Sequence, residues 1–353
     1  MSVERSTLRL KTSWAPPLGE PFELEAATFD RILDRGWRRT SYSDITAGAY
    51  EARVGSEPEE EGVLDEPAEE RSGQALARPL LAGMPVGRRV GTLVHDVLEA
   101  TDFAAADLDA ELGNRLEAGL ARRQLEVGDP KAVVGGLRAA IETPLGPLVD
   151  GTRLRDLARA DRLDELDFEL PLAGGDEPTG RMTLAAIASA LREHLPDGDP
   201  LAGYAELLED PALRSSVRGY LTGSLDLVVR LTGDAGIPRF AVLDYKTNWL
   251  GGPGEELTSW HHRPEALAAE MRHAQYGLQA ILYMVALHRY LRWRLPDYAV
   301  ERNLAGVLYL FLRGMTGPDT PTVDGTPCGV FAWRPPTALV EALSDVLDGE
   351  KVA

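Results

Sequence analysis

The stretch VLDYKTNWLG, residues Val242 to Gly251, carries two charged residues at the end of an apolar run. The apolar run begins two residues earlier, at Phe240, and predicts a buried β-strand. Asp244 and Lys246 are two residues apart, and residues i and i+2 of a strand point to the same face of a sheet. A carboxylate and an amine therefore leave one apolar strand side by side. Because a buried charge is costly unless it is paired or binds a metal, this pair predicts a functional site.

A second acidic residue lies in the preceding strand. The segment YLTGSLDLVVRL, residues 220–231, is apolar around Asp226, and a turn with glycine and proline separates it from Arg239 to Lys246. The two segments predict a β-hairpin that brings Asp226 near Asp244. Nearby carboxylates raise each other's pKa unless a cation lies between them, and oxygen ligands suit Mg²⁺ or Mn²⁺. Lys246 would stand beside such an ion, where it could orient an attacking water or stabilise charge on a phosphate.

This arrangement matches the pattern of a large group of nucleases. An acid in one strand, followed by (Asp/Glu)-x-Lys at the end of the next strand, is typical of the PD-(D/E)XK nuclease fold. Taken alone the pattern is weak, because a solvated edge hairpin can also carry two acids. The apolar flanks of both segments argue against a solvated hairpin.

Two other residues remain ambiguous when only their surroundings are considered. His95 lies in GTLVHDVLE, residues 91–99, near the apolar stripe of a predicted helix. A lone helical histidine is more often a core or surface residue, although an imidazole could complete the coordination of a carboxylate-bound ion. Glu165 begins the segment ELDFELP, where apolar and acidic residues alternate as in a strand, and by itself it is interpreted as an exposed strand acid.

The segment YGLQAILYMVALHRYLRWRL predicts a long helix with two polar residues on one face. Gln279 and Tyr283 are four residues apart and therefore share a helix face. Their amide and phenol groups could contact a phosphate or hold a lysine in place. The alternative is a core helix with a polar interruption.

Composition limits the class of protein. A length of 353 residues suits one large domain or two ordinary ones, and a net charge of −19 argues against a passive, sequence-blind DNA coat. The single cysteine, Cys328, excludes a disulfide framework within the chain and a four-cysteine iron–sulphur cluster. The sequence shows no signal peptide, and its most apolar helical run, Gly277 to Leu287, is too short to span a bilayer. A cytoplasmic location without membrane association is therefore expected.

The pattern along the chain predicts three regions. Residues 1–50 form a segment that leads into the domain, with a short extended piece at 37–43. Residues 51–78 are acidic and poor in large apolar groups, which predicts a disordered linker. Residues 79–353 are expected to form one nuclease domain. Within it, periodicity predicts one helix that begins at 87 and further helices at 104–126, 130–142, 182–195, 264–295 and 336–347. It also predicts strands at 163–170, 220–231, 239–246 and 303–312.

Together these motifs resemble the C-terminal nuclease domain of RecB, the helicase–nuclease subunit of the bacterial RecBCD complex (exodeoxyribonuclease V). The motifs follow that family's order: WRRTSYSDI, GTLVHDVLE, ELDFELP, GYLTGSLDLVVR, VLDYKTNWLG, YGLQAILYMVALHRYLRWRLPDY and GVLYLFLRGM. The likeness covers roughly residues 37–335. It implies an α/β fold with a restriction-endonuclease-like PD-(D/E)XK core, a mixed central β-sheet flanked by helices, and a helical segment at its N-terminal side.

The resemblance also implies roles for individual residues. Mg²⁺, or alternatively Mn²⁺, would be bound by His95, Asp226, Asp244 and the main-chain carbonyl of Tyr245. Catalysis would depend on Asp226, Asp244, Lys246 and the upstream acid Glu165. Gln279 and Tyr283 match the conserved helix motif of the family and would support Lys246 or contact DNA.

One departure from the family concerns the motor. A complete RecB begins with a helicase whose phosphate-binding loop reads G-x-x-x-x-G-K-[ST], and no such sequence is present here. No ATP site is therefore expected in this chain, and a helicase portion would be encoded or supplied elsewhere. The resemblance implies a Mg²⁺-dependent nuclease that acts on single-stranded DNA ends, together with RecC-like and RecD-like subunits.

Two alternatives belong to other classes or families. The domain could be a docking or regulatory module that is inactive without its partner subunits, and the acidic net charge motivates this hypothesis because a free nuclease would gain from a basic track. A nuclease of the CRISPR adaptation or AddB type would typically carry a four-cysteine iron–sulphur cluster. The single Cys328 argues against that type.

Overall fold

The structure is a computed structural model of the 353-residue chain. It describes residues 37–46, 78–172, 182–210, 213, 216–233, 236–252 and 254–349. The chain divides into a unit of residues 1–35, which lies outside the described residues, and a unit of residues 36–353, to which all that follows refers. The predicted linker at 51–78 also falls outside the described residues, apart from Arg78.

A mixed β-sheet forms the centre of the larger unit. Its strands are β1 (Trp37–Ser41), β2 (Arg162–Pro171), β3 (Met182–Thr183), β4 (Ser216–Thr232), β5 (Pro238–Lys246), β6 (Leu304–Phe311) and β9 (Val330–Trp333). The strand order is β1-β4-β5-β6-β9, and β2 and β3 also pair with β4. The pairs β1/β4 and β5/β6 are parallel and the others are antiparallel, which confirms the predicted mixed sheet. A separate two-stranded ribbon consists of β7 (Thr322–Val323) and β8 (Thr326–Pro327).

Helices flank this sheet. Those whose full extent is described are α1 (Arg88–Ala100), α2 (Leu108–Arg122), α3 (Pro130–Glu142), α4 (Leu184–His194), α5 (Tyr204–Leu208), α6 (Pro264–His273), α7 (Tyr276–Arg294), α8 (Val300–Asn303) and α9 (Thr337–Asp348). The first three form the predicted helical segment that precedes the main strands. Local sequence explains where two of them begin, because Asp107 caps α2 and Asp129 caps α3 through their side-chain carboxylates.

The sheet separates two hydrophobic clusters. Strand β6 is buried along its whole length, and its side chains alternate between the clusters: Val307 and Tyr309 belong to one, and Leu308 and Leu310 to the other. Helices α1, α2 and α3 cover the second cluster, whereas α4, α7 and α9 cover the first. The continuous apolar character of β6 thus follows from burial on both faces, as expected for an interior strand with a parallel neighbour.

Helix α1 packs close to the end of β5. Its apolar stripe, predicted from the sequence, is buried at Val90, Leu93, Val94, Val97 and Leu98. Gly91 permits the close approach, because a β-carbon built at this position would lie 3.3 Å from Oγ1 of Thr247. Thr247 directly follows Lys246, and so α1 lies beside the VLDYKTNWLG stretch.

One predicted element is wrong. The sequence predicts a single helix over 264–295, but the structure has two helices, α6 and α7, separated at Ala274 and Gln275. Gln275 has a φ of 59°, and the hydroxyl of the buried Tyr204 donates to its main-chain carbonyl at 2.9 Å. The break is therefore stabilised by a distant contact and not by glycine or proline. Strand β9 was also not predicted.

In the described part of the chain, every helix is too short or too polar to cross a membrane.

Candidate active site

The β4–β5 hairpin brings two carboxylates of the sequence motif together. Leu227 pairs with Leu243 and Val228 pairs with Val242 in the antiparallel register. One further step along this register places Asp226 opposite Asp244, where antiparallel neighbours share a face of the sheet. Burial and then the charge of Asp244 raise the pKa of Asp226 well above its usual value. The two groups therefore cannot both ionise at low cost unless a cation compensates them.

Lys246 forms an ion pair with Asp244. Its Nζ lies 2.6 Å from Oδ2 of Asp244, and the two side chains are 13% and 1% exposed. Burial alone would lower the pKa of Lys246, but the carboxylate of Asp244 raises it, and the lysine remains charged. The same-face placement that the i, i+2 spacing predicts is thus present in the structure.

His95 connects α1 to the hairpin. Its Nε2 lies 2.9 Å from the carbonyl oxygen of Tyr245, and its Nδ1 lies 3.3 Å from Oδ2 of Asp226. The main-chain N–H of Tyr245 donates to the same Asp226 oxygen at 3.0 Å. Burial lowers the pKa of His95, which favours the neutral ring. Because a carbonyl only accepts, Nε2 of the neutral ring carries the hydrogen, and Nδ1 presents a lone pair towards a carboxylate.

Glu165 completes a group of potential metal ligands. One ligand atom from each of His95, Glu165 and Asp226 lies within 4.8 Å of the others. In the β2–β4 register, Asp164 pairs with Leu227, and this pairing places Glu165 opposite Asp226. Glu165 itself has a φ of 46°, which interrupts the regular strand at this point.

The Glu165 carboxylate has a defined partner on the neighbouring strand. The hydroxyl of Ser224 donates to its Oε2 at 3.0 Å. Burial raises the pKa of Glu165, and the hydrogen bond from Ser224 opposes that rise. The carboxylate is thus held at the site although the residue is only partly covered and remains open to solvent.

The donor set fits a divalent cation. A lone pair of His95 faces Asp226, and Asp226 and Asp244 repel each other, so a positive charge at this point would relieve both conflicts. Nitrogen and carboxylate oxygen are ligands that Mn²⁺ accepts, and oxygen suits Mg²⁺. In the structure, ligand atoms of His95, Glu165 and Asp226 lie within 4.8 Å of one another, close enough to share one ion, whereas Asp244 forms an ion pair with Lys246. The carbonyl of Tyr245 is in contact with His95.

Helix α7 supplies the polar residues next to Lys246. Oε1 of Gln279 lies 3.4 Å from Lys246 Nζ and also accepts from the hydroxyl of Tyr309 at 3.1 Å. Nε2 of Gln279 donates to the hydroxyl of Tyr283 at 2.8 Å. These bonds orient the amide so that its oxygen faces the ammonium group. Gln279 is thus in contact with Lys246 and Tyr283 with Gln279, while the predicted roles of both residues, in supporting Lys246 or contacting DNA, stay predictions.

Sequence reasoning missed several residues at the site. Tyr276 and Tyr309 lie beside the ammonium group of Lys246, and Ser224 contacts Glu165. Arg313 is fully buried and its guanidinium donates to the carbonyl of Thr247 at 2.8 Å. The same guanidinium also donates to carbonyls in the segment just before α1. In the sequence, only the position of Arg313 at the end of an apolar strand could have indicated that it binds these carbonyls.

Comparison with known proteins identifies the class. The chain belongs to the PD-(D/E)XK nuclease superfamily, which matches residues 71–327. This membership agrees with the mixed sheet and with the position of Asp226, Asp244 and Lys246 on one hairpin.

Similar curated proteins narrow the class further. The chain is 46% identical over 359 residues to the RecBCD enzyme subunit RecB of Mycobacterium tuberculosis (strain CDC 1551 / Oshkosh), covering 98% of this chain and 32% of that protein. It is 46% identical over 347 residues to RecB of Mycolicibacterium smegmatis, covering 95% of this chain and 31% of the relative. For RecB of Escherichia coli (strain K12) the identity is 32% over 331 residues, with 93% and 24% covered. The resemblance to the RecB nuclease domain is thereby confirmed, and the chain spans a third or less of these relatives.

Proposed function

We propose that this chain is a Mg²⁺-dependent DNA nuclease that hydrolyses phosphodiester bonds at single-stranded DNA ends. The observation that carries the proposal is the meeting of His95, Glu165 and Asp226 within 4.8 Å, beside an ion-paired Asp244 and Lys246. Membership of the nuclease superfamily supports the reaction class. Mn²⁺ would serve in place of Mg²⁺, since both accept carboxylate ligands.

The contacts support separate proposed roles for these residues. His95, Asp226 and Asp244 would hold the cation with the carbonyl of Tyr245, and Glu165 would join them from β2. The bound cation would supply charge neutralisation at the phosphate and a more acidic water. Lys246 keeps its proton because of Asp244, and it would stabilise negative charge on the phosphate or orient the water.

The supporting residues keep Lys246 directed at that task. Gln279 offers its amide oxygen to the ammonium group, and Tyr283 fixes the amide from the other side. His95 donates through Nε2 to Tyr245 and so leaves Nδ1 directed at Asp226. Each of these residues only binds or orients another group. Because their contacts are already formed in the folded protein, little reorganisation is needed during the reaction.

The direct test uses the purified chain with linear single-stranded DNA and Mg²⁺. Asp244→Ala should abolish cleavage while circular dichroism and the elution volume stay unchanged. Lys131→Ala, on the exposed face of α3, is the matched control and should cleave like the unchanged chain. Equal cleavage by the Asp244→Ala protein would refute the assignment.

We further propose that the chain works with RecC-like and RecD-like subunits and with a helicase portion supplied elsewhere. The names of the similar proteins support this, since each is a RecBCD enzyme subunit. On this proposal, residues 79–353 form the nuclease domain and residues 51–78 the linker that precedes it.

A second candidate is a docking or regulatory module that is inactive without those subunits. The net charge of −19 favours it, because an acidic surface repels free DNA. Nuclease activity of the isolated chain distinguishes the two candidates. Activity that requires a RecC-like subunit, with retention of the chain by that subunit in a pull-down, would favour the second.

A further inference from the structure

The ammonium group of Lys246 lies over two aromatic rings. Its Nζ is 4.2 Å from the ring centroid of Tyr276 and 5.3 Å from that of Tyr309. The two rings stack on each other with centroids 5.9 Å apart and planes inclined by 21°. A cation within about 6 Å of a ring centroid is attracted by the negative face of the ring. The lysine is therefore held by a ring face as well as by a carboxylate and an amide.

The hydroxyl of Tyr276 makes polar contacts that help to fix the ring. This hydroxyl lies 3.2 Å from the donating Nδ2 of Asn248, and the same Nδ2 donates to Glu270 at 2.8 Å. Asn248 is two residues after Lys246 in the sequence motif. The ring of Tyr309, which is fully buried, stacks on that of Tyr276. The ring consequently has little freedom to move away from the ammonium group.

We propose that Tyr276 is a positioning residue for Lys246, acting through its ring face. In the structure, Asp244 is the closest partner of the lysine. A cation bound by Asp244 would draw on the same carboxylate, and the lysine would then lose part of its attraction to it. The ring is uncharged and binds no metal, so its attraction for the ammonium group remains. Tyr276 thus keeps Lys246 at the site when a cation is bound by Asp244, which is the state in which the lysine would act.

This inference rests on the proposed function of Lys246, and a series at position 276 tests it. Tyr276→Phe keeps the ring and removes only the hydroxyl, whereas Tyr276→Leu removes the ring. We expect Tyr276→Phe to lose much less activity than Tyr276→Leu, because the ring face remains and only the hydrogen bond to Asn248 is lost. For Tyr276→Leu we expect kcat to fall by about tenfold, the effect of losing one cation–π contact. KM for DNA and the dissociation constant of Mn²⁺, measured by calorimetry, should stay the same.

Two further variants separate positioning from general damage. Tyr290→Leu makes the same substitution later in α7, where the ring packs near Trp293, and it should leave kcat unchanged. Fluorinated phenylalanines at position 276 keep the ring shape but withdraw electron density from its face. We expect kcat to fall with each added fluorine, which a role in packing alone would not produce.

The outcomes distinguish the inference from the function on which it rests. If Lys246→Ala cleaves like the unchanged chain, the proposed function of Lys246 is wrong. If Lys246→Ala is inactive but Tyr276→Leu keeps its kcat, or fluorination has no effect, only the positioning role is overturned. An equal loss for Tyr276→Phe and Tyr276→Leu would also contradict it, because the hydroxyl and not the ring would then matter.

Discussion

Replacing Lys246 by methionine should destabilise the protein in the absence of metal and much less in its presence. Methionine keeps the length of the apolar chain but leaves the carboxylate of Asp244, which is 1% exposed, without its cation. At a separation of 2.6 Å the attraction between the two charges is about 6 kcal/mol for an effective dielectric constant of about 20. Because the ion pair also lost hydration on burial, breaking it should cost less, about 3 kcal/mol.

The assay is urea unfolding with EDTA or with millimolar Mn²⁺, followed by circular dichroism. With EDTA, the free energy of unfolding of Lys246→Met should be about 3 kcal/mol lower than that of the unchanged chain. With Mn²⁺ the difference should shrink, because a cation at Asp244 replaces the lost ammonium charge. Lys131→Met, at an exposed position of α3, is the control and should change little. A Lys246→Met protein as stable in EDTA as the unchanged chain would show that the ion pair with Asp244 does not stabilise the fold.

Three other predictions concern residues around the site. Arg313→Met should lower the free energy of unfolding by about 2–3 kcal/mol in urea, because carbonyls including that of Thr247 lose their donor; a change below about 1 kcal/mol would contradict this. Burial lowers the pKa of His262 to about 3, so the folded state resists protonation and stability falls as the pH drops below about 6.5. The loss between pH 7 and pH 5 should be about 2 kcal/mol and absent from His262→Leu; an equal loss in both proteins would argue against it. Gln279→Leu should lower kcat about tenfold with unchanged Mn²⁺ affinity in calorimetry, and an unchanged kcat would show that the amide does not support Lys246.

The hairpin and its pattern of charges follow from local sequence. Strand periodicity predicts which side chains share a face of the sheet, and the glycine- and proline-containing turn predicts that the two strands pair. The amino-acid pattern alone therefore places Asp226, Asp244 and Lys246 together. The resemblance to the RecB nuclease domain added His95 and Glu165, which local patterns alone leave ambiguous. Their roles as ligands stay predictions, although the structure places both beside Asp226.

Other features depend on contacts between distant segments and have no local signal. The break between α6 and α7 occurs at Gln275, a residue that ordinarily continues a helix, and it depends on the hydroxyl of Tyr204, 71 residues away in sequence. The φ of 46° at Glu165 is likewise unexpected for a strand residue. Tyr276 and Tyr309 have the sequence pattern of ordinary core aromatics, and only the packing of α7 against the sheet brings both rings close to the ammonium group of Lys246.

We predict that one divalent cation is bound jointly by the residues that α1, β2, β4 and β5 bring together. A crystal structure of the chain soaked in Mn²⁺, with anomalous data collected at the manganese edge, tests it most directly. We predict a single strong anomalous peak within coordination distance of His95 and Asp226, with Glu165 or Asp244 as a further ligand. A peak elsewhere, or none at this position under saturating Mn²⁺, would contradict the account.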